Sequence, residues 1–133
     1  MPLQTRLFIR LALGYLVLGL AVGVALAVDP ALRFLWPTYL HVLVVGWLTQ
    51  LIFGVAFWLF PRASREHKRG REEYVWATLI LLNVGLVLRM AAEPFDLGPA
   101  GGTLLTVSAV CHLGAALGFA ANVWPRLKGG GAG

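Results

Sequence analysis

The sequence predicts an all-α membrane protein, a four-helix antiparallel transmembrane bundle. Of its 133 residues, 59% are hydrophobic and only 13% are charged, a composition that excludes an ordinary soluble domain. Four apolar runs cover about residues 7–28, 38–60, 73–92 and 102–124. Each is about the 20 residues that an α-helix needs to cross a hydrocarbon core of about 30 Å. We therefore expect one transmembrane domain over residues 1–133, in contact with the lipid bilayer, with a Gly-rich tail at 125–133.

Short polar or helix-stopping segments separate the four runs. Asp29-Pro30 ends the first run, residues 62–73 follow the second, and residues 93–99 lie before the fourth. Five of the eleven Lys and Arg residues lie in residues 62–71, so the positive-inside rule predicts a cytoplasmic loop there. Both termini also carry Arg or Lys and are expected on the same side. The net charge of +5 reflects this topology, and nucleic-acid binding is not expected.

A short motif occurs twice in the chain. The second run ends with Gly54, Ala56 and Pro61-Arg62, and the fourth ends with the same residue types at the same spacing, from Gly118 to Pro125-Arg126. The sequence therefore predicts two repeated helical hairpins, with each motif at the end of the second helix of its hairpin.

His41 is the first candidate for a functional residue. It lies near the outer edge of the apolar second run, and an ionisable side chain in a membrane span is costly and often functional. Imidazole is the commonest protein ligand for metals and binds haem iron in many proteins. The alternative interpretation is an interfacial histidine that bonds water or lipid beside Thr38 and Tyr39.

The order His41, Gly46-Trp47, Gly54, Pro61-Arg62 resembles the second transmembrane helix of haem-copper oxidase catalytic subunits, most closely their nitric oxide reductase branch. That resemblance implies that His41 is an axial ligand of haem b and that the membrane is a bacterial plasma membrane. The cluster of three histidines that holds copper in that family is absent from the sequence. The chain is therefore not expected to be a complete oxidase, and enzymatic activity is left open.

His112, in the fourth run, is the candidate for a second iron ligand. His41 lies 20 residues before Pro61, whereas His112 lies 13 residues before Pro125, which corresponds to a depth difference of about 10 Å. A bis-histidine haem within one chain is thus difficult, and a homodimer could supply both ligands instead. A neutral His112 bonded to Ser108 or to a neighbouring helix is the simpler alternative.

Two further residues complete the predicted cofactor site. Trp47 lies about one and a half turns inside the span and could pack on a haem edge. Arg89, near the end of the third run, could neutralise a haem propionate, or it could simply pair with Glu93 one turn later.

The predicted function is that of a membrane-bound b-type haem protein in electron transfer or in gas or redox sensing, with a possible respiratory-chain partner. Two alternatives remain open at this stage. One is a copper- or zinc-binding membrane protein that uses His41 and His112 with water, Cys111 or Glu93. The other is an accessory subunit of a respiratory oxidase or reductase, without a cofactor.

Overall fold

The computed structural model describes residues 1–60 and 68–128, with only the backbone described for residues 68–71 and 128. Within these residues every regular element is helical. The elements are α1 (Leu3–Val28), a 3-10 helix (Pro30–Leu35), α2 (Trp36–His41), a π-helical segment (Val42–Thr49), α3 (Gln50–Leu59), α4 (Lys68–Ala92) and α5 (Pro99–Lys128).

Four helical stretches are long and apolar enough to cross a membrane, which confirms the prediction of an all-helical, multi-pass membrane protein. They are Leu3–Val28, Pro30–Leu59, Glu72–Ala92 and Pro99–Leu127. The second stretch begins eight residues before the predicted residue 38, because the side chain of Asp29 accepts a hydrogen bond from Ala31 N at 3.0 Å and Pro30 occupies the first helical position. This cap starts the helix immediately after α1.

Helix α5 also extends beyond its predicted end at residue 124. It continues through Pro125 to Lys128, although Pro125 has no backbone N–H and one helical hydrogen bond is therefore missing. Residues 125–128 are thus helical, and the remainder of the predicted tail lies outside the described residues. The segment 61–67, with Pro61-Arg62 and His67, lies outside them as well. The duplication of the hairpins and the side of the membrane that holds the termini stay predictions.

The helices pack as two pairs. Helix α1 lies along the second span from the 3-10 helix to α3, and α4 lies along α5. Glycines permit these close approaches. A Cβ built at Gly54 would lie 2.5 Å from Cβ of Phe8, and one built at Gly46 would lie 2.7 Å from Cγ of Tyr15. Replacement of either glycine would push α1 away from the second span.

An aromatic cluster joins the two pairs. The rings of Phe53 and Phe119 stack with centroids 4.0 Å apart, and Phe57 meets Phe119 edge-on at 5.2 Å. Phe8 of α1 contacts Phe57 from the other side, with centroids 5.6 Å apart. These contacts connect α1, α3 and α5 in the apolar core. Most large apolar side chains on the outer faces are exposed, as expected for a surface that contacts lipid.

The π-helical segment follows His41 directly. In this segment, hydrogen bonds close wider turns than in an α-helix, and such turns are frequent at functional sites. The relative direction of the side chains of His41 and Gln50, which flank this segment, therefore does not follow the 100° per residue of an α-helix. Gln50 is fully buried, at 0% exposure.

Arg126 closes the end of α3. Its guanidinium donates to the backbone carbonyls of Phe57, at 2.8 Å, and of Phe60. A third bond reaches Oδ1 of Asn122 at 3.0 Å. In sequence, Arg126 looks like a solvated cation flanking a span. In the structure it is buried, because it pairs with carbonyl groups that the end of a helix leaves without a partner.

Candidate functional site

His41 is the last residue of α2, where the π-helical segment begins. Its Nδ1 lies 2.8 Å from the backbone carbonyl oxygen of Pro37, one turn earlier. A carbonyl oxygen can only accept, so Nδ1 carries the proton and donates it. The imidazole is then the tautomer in which Nε2 has a free lone pair. Ligating histidines commonly have this arrangement, with one ring nitrogen on a backbone carbonyl and the other on the metal.

Glu93 faces the same imidazole from the segment that follows α4. Its Oε2 lies 3.4 Å from Nδ1 of His41, and its Oε1 lies 3.8 Å from Nη1 of Arg89. The side chain of Glu93 is only 12% exposed, whereas that of His41 is 34% exposed. These three residues bring an imidazole, a carboxylate and a guanidinium together where α2 and α4 end. We call them the His41 cluster.

Parts of the His41 cluster have unused hydrogen-bonding capacity. Oε2 of Glu93 and Nε of Arg89 are buried and have no hydrogen-bond partner within the described chain. Buried polar atoms are usually paired, because an unpaired one costs roughly 1–3 kcal/mol. The cluster therefore has the means to hold a further polar or charged group.

His112 lies between α4 and α5. A Cβ built at Gly85 would lie 2.7 Å from Cδ2 and 2.9 Å from Nε2 of His112, so this edge of the ring rests on the backbone of α4. Nε2 has no hydrogen-bond partner in the described part of the chain. The hydroxyl of Ser108 donates to the carbonyl of Gly85 at 2.6 Å. The imidazole of His112 forms a backbone hydrogen bond with Leu82 of α4, which agrees with the alternative of a histidine bonded to a neighbouring helix.

The structure brings the predicted site residues together only in part. His41 and Arg89 both belong to the His41 cluster and lie near His112 of α5. Trp47 is half-buried in the π-helical segment. In residues 1–60 and 68–128, no group of three His, Cys, Asp or Glu side chains is arranged to hold a metal ion.

The chemistry of these donors fits a haem on the His41 side. Nε2 of His41 is free to bind iron, and the ring is partly exposed at its position. Nε2 of His112 faces a helix backbone instead, so the ring would have to turn away from Gly85 before it could bind iron. Iron ligation by His112 stays a prediction, and it would require this rotation of the ring.

Two residues at the candidate site make contacts that could not be read from the sequence. Glu93 was considered only as the partner of Arg89 and as a ligand for copper or zinc, although it also faces His41. Its spacing from Arg89 signals that ion pair, but no local pattern connects residues 41 and 93. Pro37 contributes through its backbone carbonyl, which could have been anticipated only from its position one turn before His41.

Comparison with known proteins identifies the family. The family model described as NnrS protein matches residues 2–129, almost the whole chain. No curated protein and no solved structure matches. The resemblance to haem-copper oxidase catalytic subunits is wrong, because NnrS is a separate family. The shared His, Gly, Trp and Pro-Arg positions are few, and glycines and interfacial tryptophans are common in membrane helices.

NnrS proteins are membrane proteins that are often linked to haem or metal binding and to the nitric oxide response. The four apolar helices and the half-buried histidine with its free Nε2 agree with the first part of that description. This chain belongs to the NnrS family.

Proposed function

We propose that this chain binds haem b in the membrane through Nε2 of His41. The observation that carries the proposal is the hydrogen bond from Nδ1 of His41 to the carbonyl of Pro37, which leaves Nε2 as the ligating nitrogen. When bound, haem supplies an iron that can exchange an electron or bind a diatomic gas. The family link to the nitric oxide response favours gas or redox sensing over simple electron transfer.

His41 is the only iron ligand that we assign to a single chain. His112 packs against Gly85, so its Nε2 lies against the backbone of α4. One axial position then stays free for a gas, unless His41 of a second copy fills it in a homodimer. Nε of Arg89 is buried and has no hydrogen-bond partner among the described residues, which suits Arg89 to bind a haem propionate. Trp47 would supply apolar ring surface beside the haem.

The membrane placement follows from charge. We infer that the segment 62–71 and both termini face the cytoplasm of a bacterium, because this segment concentrates Arg and Lys. Glu93 and Asp96 lie at the opposite end of α4, so the His41 cluster is near the outer leaflet. This topology is tested with one reporter fused after residue 128 and another inserted at residue 97. We expect activity of a cytoplasmic reporter at the first position and of an exported reporter at the second.

The experiment that tests the haem proposal is spectroscopic. The protein is purified in detergent, supplied with hemin, freed of excess hemin, and measured in oxidised and dithionite-reduced form, with a pyridine haemochrome assay for stoichiometry. We expect a Soret band in the wild type, its loss in His41→Ala, and its retention in His67→Ala. Nitric oxide should shift the reduced spectrum if one axial position is open.

Other outcomes separate the alternatives. A low-spin six-coordinate spectrum with about one haem per two chains would indicate His41 ligation from two copies. A His41→Ala variant with full haem occupancy would refute the proposal. A wild-type protein that binds no hemin would also refute it, and metal analysis for copper and zinc would then be the next measurement.

A further inference from the structure

Glu93 is an unusual residue at its position. Its carboxylate is 12% exposed at the end of an apolar helix, and a buried carboxylate is costly unless it is paired. The ion pair with Arg89 is long, at 3.8 Å, and it engages Oε1. Oε2 makes no hydrogen bond to the described part of the chain and lies 3.4 Å from Nδ1 of His41.

Two oxygen atoms from different parts of the chain thus lie near the N–H of His41. The carbonyl of Pro37 is nearer, at 2.8 Å, and belongs to the same helix, whereas Glu93 comes from a different span. The carbonyl fixes the tautomer, and the carboxylate adds a negative charge on the side of the ring opposite to the ligating nitrogen. Arg89 holds that carboxylate from the other side, through Nη1.

A carboxylate behind a ligating histidine has a known physical effect. It fixes the orientation of the ring and makes the imidazole a stronger donor. A stronger donor and a nearby negative charge both favour the more positively charged oxidised iron. A neutral group in place of the carboxylate should therefore weaken binding and raise the reduction potential.

We propose that Glu93 is a positioning residue for His41, which orients its imidazole and lowers the reduction potential of a haem bound at Nε2. This inference rests on the proposed function, because it requires His41 as the ligand. It assigns to Glu93 a role distinct from the direct copper or zinc ligation considered as an alternative.

The chain offers a matched control for this residue. Asp96 is three residues from Glu93, in the same loop, but its carboxylate is exposed and accepts a hydrogen bond from Gly98 N at 3.2 Å. Asp96→Asn therefore removes the same charge from the same end of the bundle without a change at His41. Glu93→Gln removes the charge and keeps the shape of the side chain.

Hemin titration and spectroelectrochemistry on the full-length protein in detergent test the proposal. For Glu93→Gln we expect hemin affinity to fall about 10- to 100-fold and the reduction potential to rise. Both quantities should stay at wild-type values in Asp96→Asn. Equal potentials in wild type and Glu93→Gln would overturn the proposal, and so would equal shifts in Glu93→Gln and Asp96→Asn, which would show a general charge effect.

A second variant covers the case in which Glu93→Gln does not fold. Glu93→Asp keeps the charge but withdraws it from Nδ1, so we expect a smaller loss of affinity and a smaller rise in potential. A potential equal to that of wild type would count against contact with the imidazole.

The failures of the two proposals are distinguishable. If His41→Ala abolishes hemin binding and Glu93→Gln leaves affinity and potential unchanged, haem ligation by His41 stands and the role of Glu93 is refuted. If His41→Ala retains hemin, both proposals fail.

Discussion

The hydroxyl of Ser108 donates to the backbone carbonyl of Gly85 at 2.6 Å and joins α5 to α4 beside His112. A Cβ built at position 85 would lie 2.7 Å from Cδ2 of His112 and 3.0 Å from Cβ of Cys111. The contact therefore needs a residue without a side chain on α4 and a small hydroxyl residue on α5. This combination is typical of helix packing in membranes, where close backbone approach replaces the hydrophobic effect.

Gly85→Ala should separate α4 from α5. The new methyl group meets an imidazole and the Cβ of Cys111, and overpacking of this kind costs typically 1–3 kcal/mol. The midpoint of thermal unfolding in detergent measures the effect. Gly14→Ala is the control, because a Cβ at position 14 has no neighbour within 4 Å and alanine favours the helix. Equal midpoints in the two variants would contradict the close packing at Gly85.

Ser108→Ala should lower stability by a smaller amount, about 0.6 kcal/mol, since interhelical hydrogen bonds in membranes contribute about that much. Thr106→Ala is its control, because the hydroxyl of Thr106 bonds within its own helix, to Gly102 O at 2.9 Å. Thermal unfolding of both variants under the same conditions gives the comparison. A larger loss in Thr106→Ala than in Ser108→Ala would be inconsistent with an interhelical bond.

Arg126→Leu should destabilise the end of α3. The substitution leaves the carbonyls of Phe57 and Phe60 without their charged donor, and hydrogen bonds to charged groups contribute roughly 1.5–3 kcal/mol. Thermal unfolding measures the total loss, and proteolysis between α3 and α4 reports local opening. The control is Arg10→Leu, because Arg10 is exposed. Unchanged unfolding and proteolysis in Arg126→Leu would show that the guanidinium does not close this helix.

Gln50→Leu should stabilise the bundle. Both amide atoms of Gln50 are buried and have no hydrogen-bond partner within the described chain, so an apolar side chain of similar volume removes a penalty of about 1–3 kcal/mol. The unfolding midpoint should rise. Asn83→Leu is the comparison, because Nδ2 of Asn83 donates to Leu79 O at 2.7 Å and this bond would be lost. A lower midpoint for Gln50→Leu would mean that the amide bonds a group inside the bundle.

The number and approximate position of the spans could be predicted because each span is a continuous run of about 20 apolar residues, which is visible in the sequence. The ion pair between Arg89 and Glu93 was accessible as well, since residues four apart share a helix face. The π-helical turns after His41 were not, because Val, Leu, Gly and Trp in Val42–Thr49 are compatible with an ordinary α-helix. Spans therefore followed from the residues, whereas the relative rotation of side chains on the second span did not.

The candidate site depended on contacts between distant positions. Glu93 meets His41 across two spans, and Pro37 and Gly85 act through backbone carbonyls, which every residue has. A backbone acceptor leaves no signal in the sequence. For the same reason, the packing of His112 on Gly85 was not predictable.

The bond from Arg126 to the carbonyls of Phe57 and Phe60 spans 69 and 66 residues of sequence, respectively. During synthesis, α3 leaves the ribosome well before α5. Arg126, the donor to the last turn of α3, has then not yet been synthesised. At a synthesis rate of about 5–20 residues per second, this interval lasts several seconds. The carbonyl groups of Phe57 and Phe60 therefore lack the Arg126 donor until α5 has been synthesised and packs against the first helical pair.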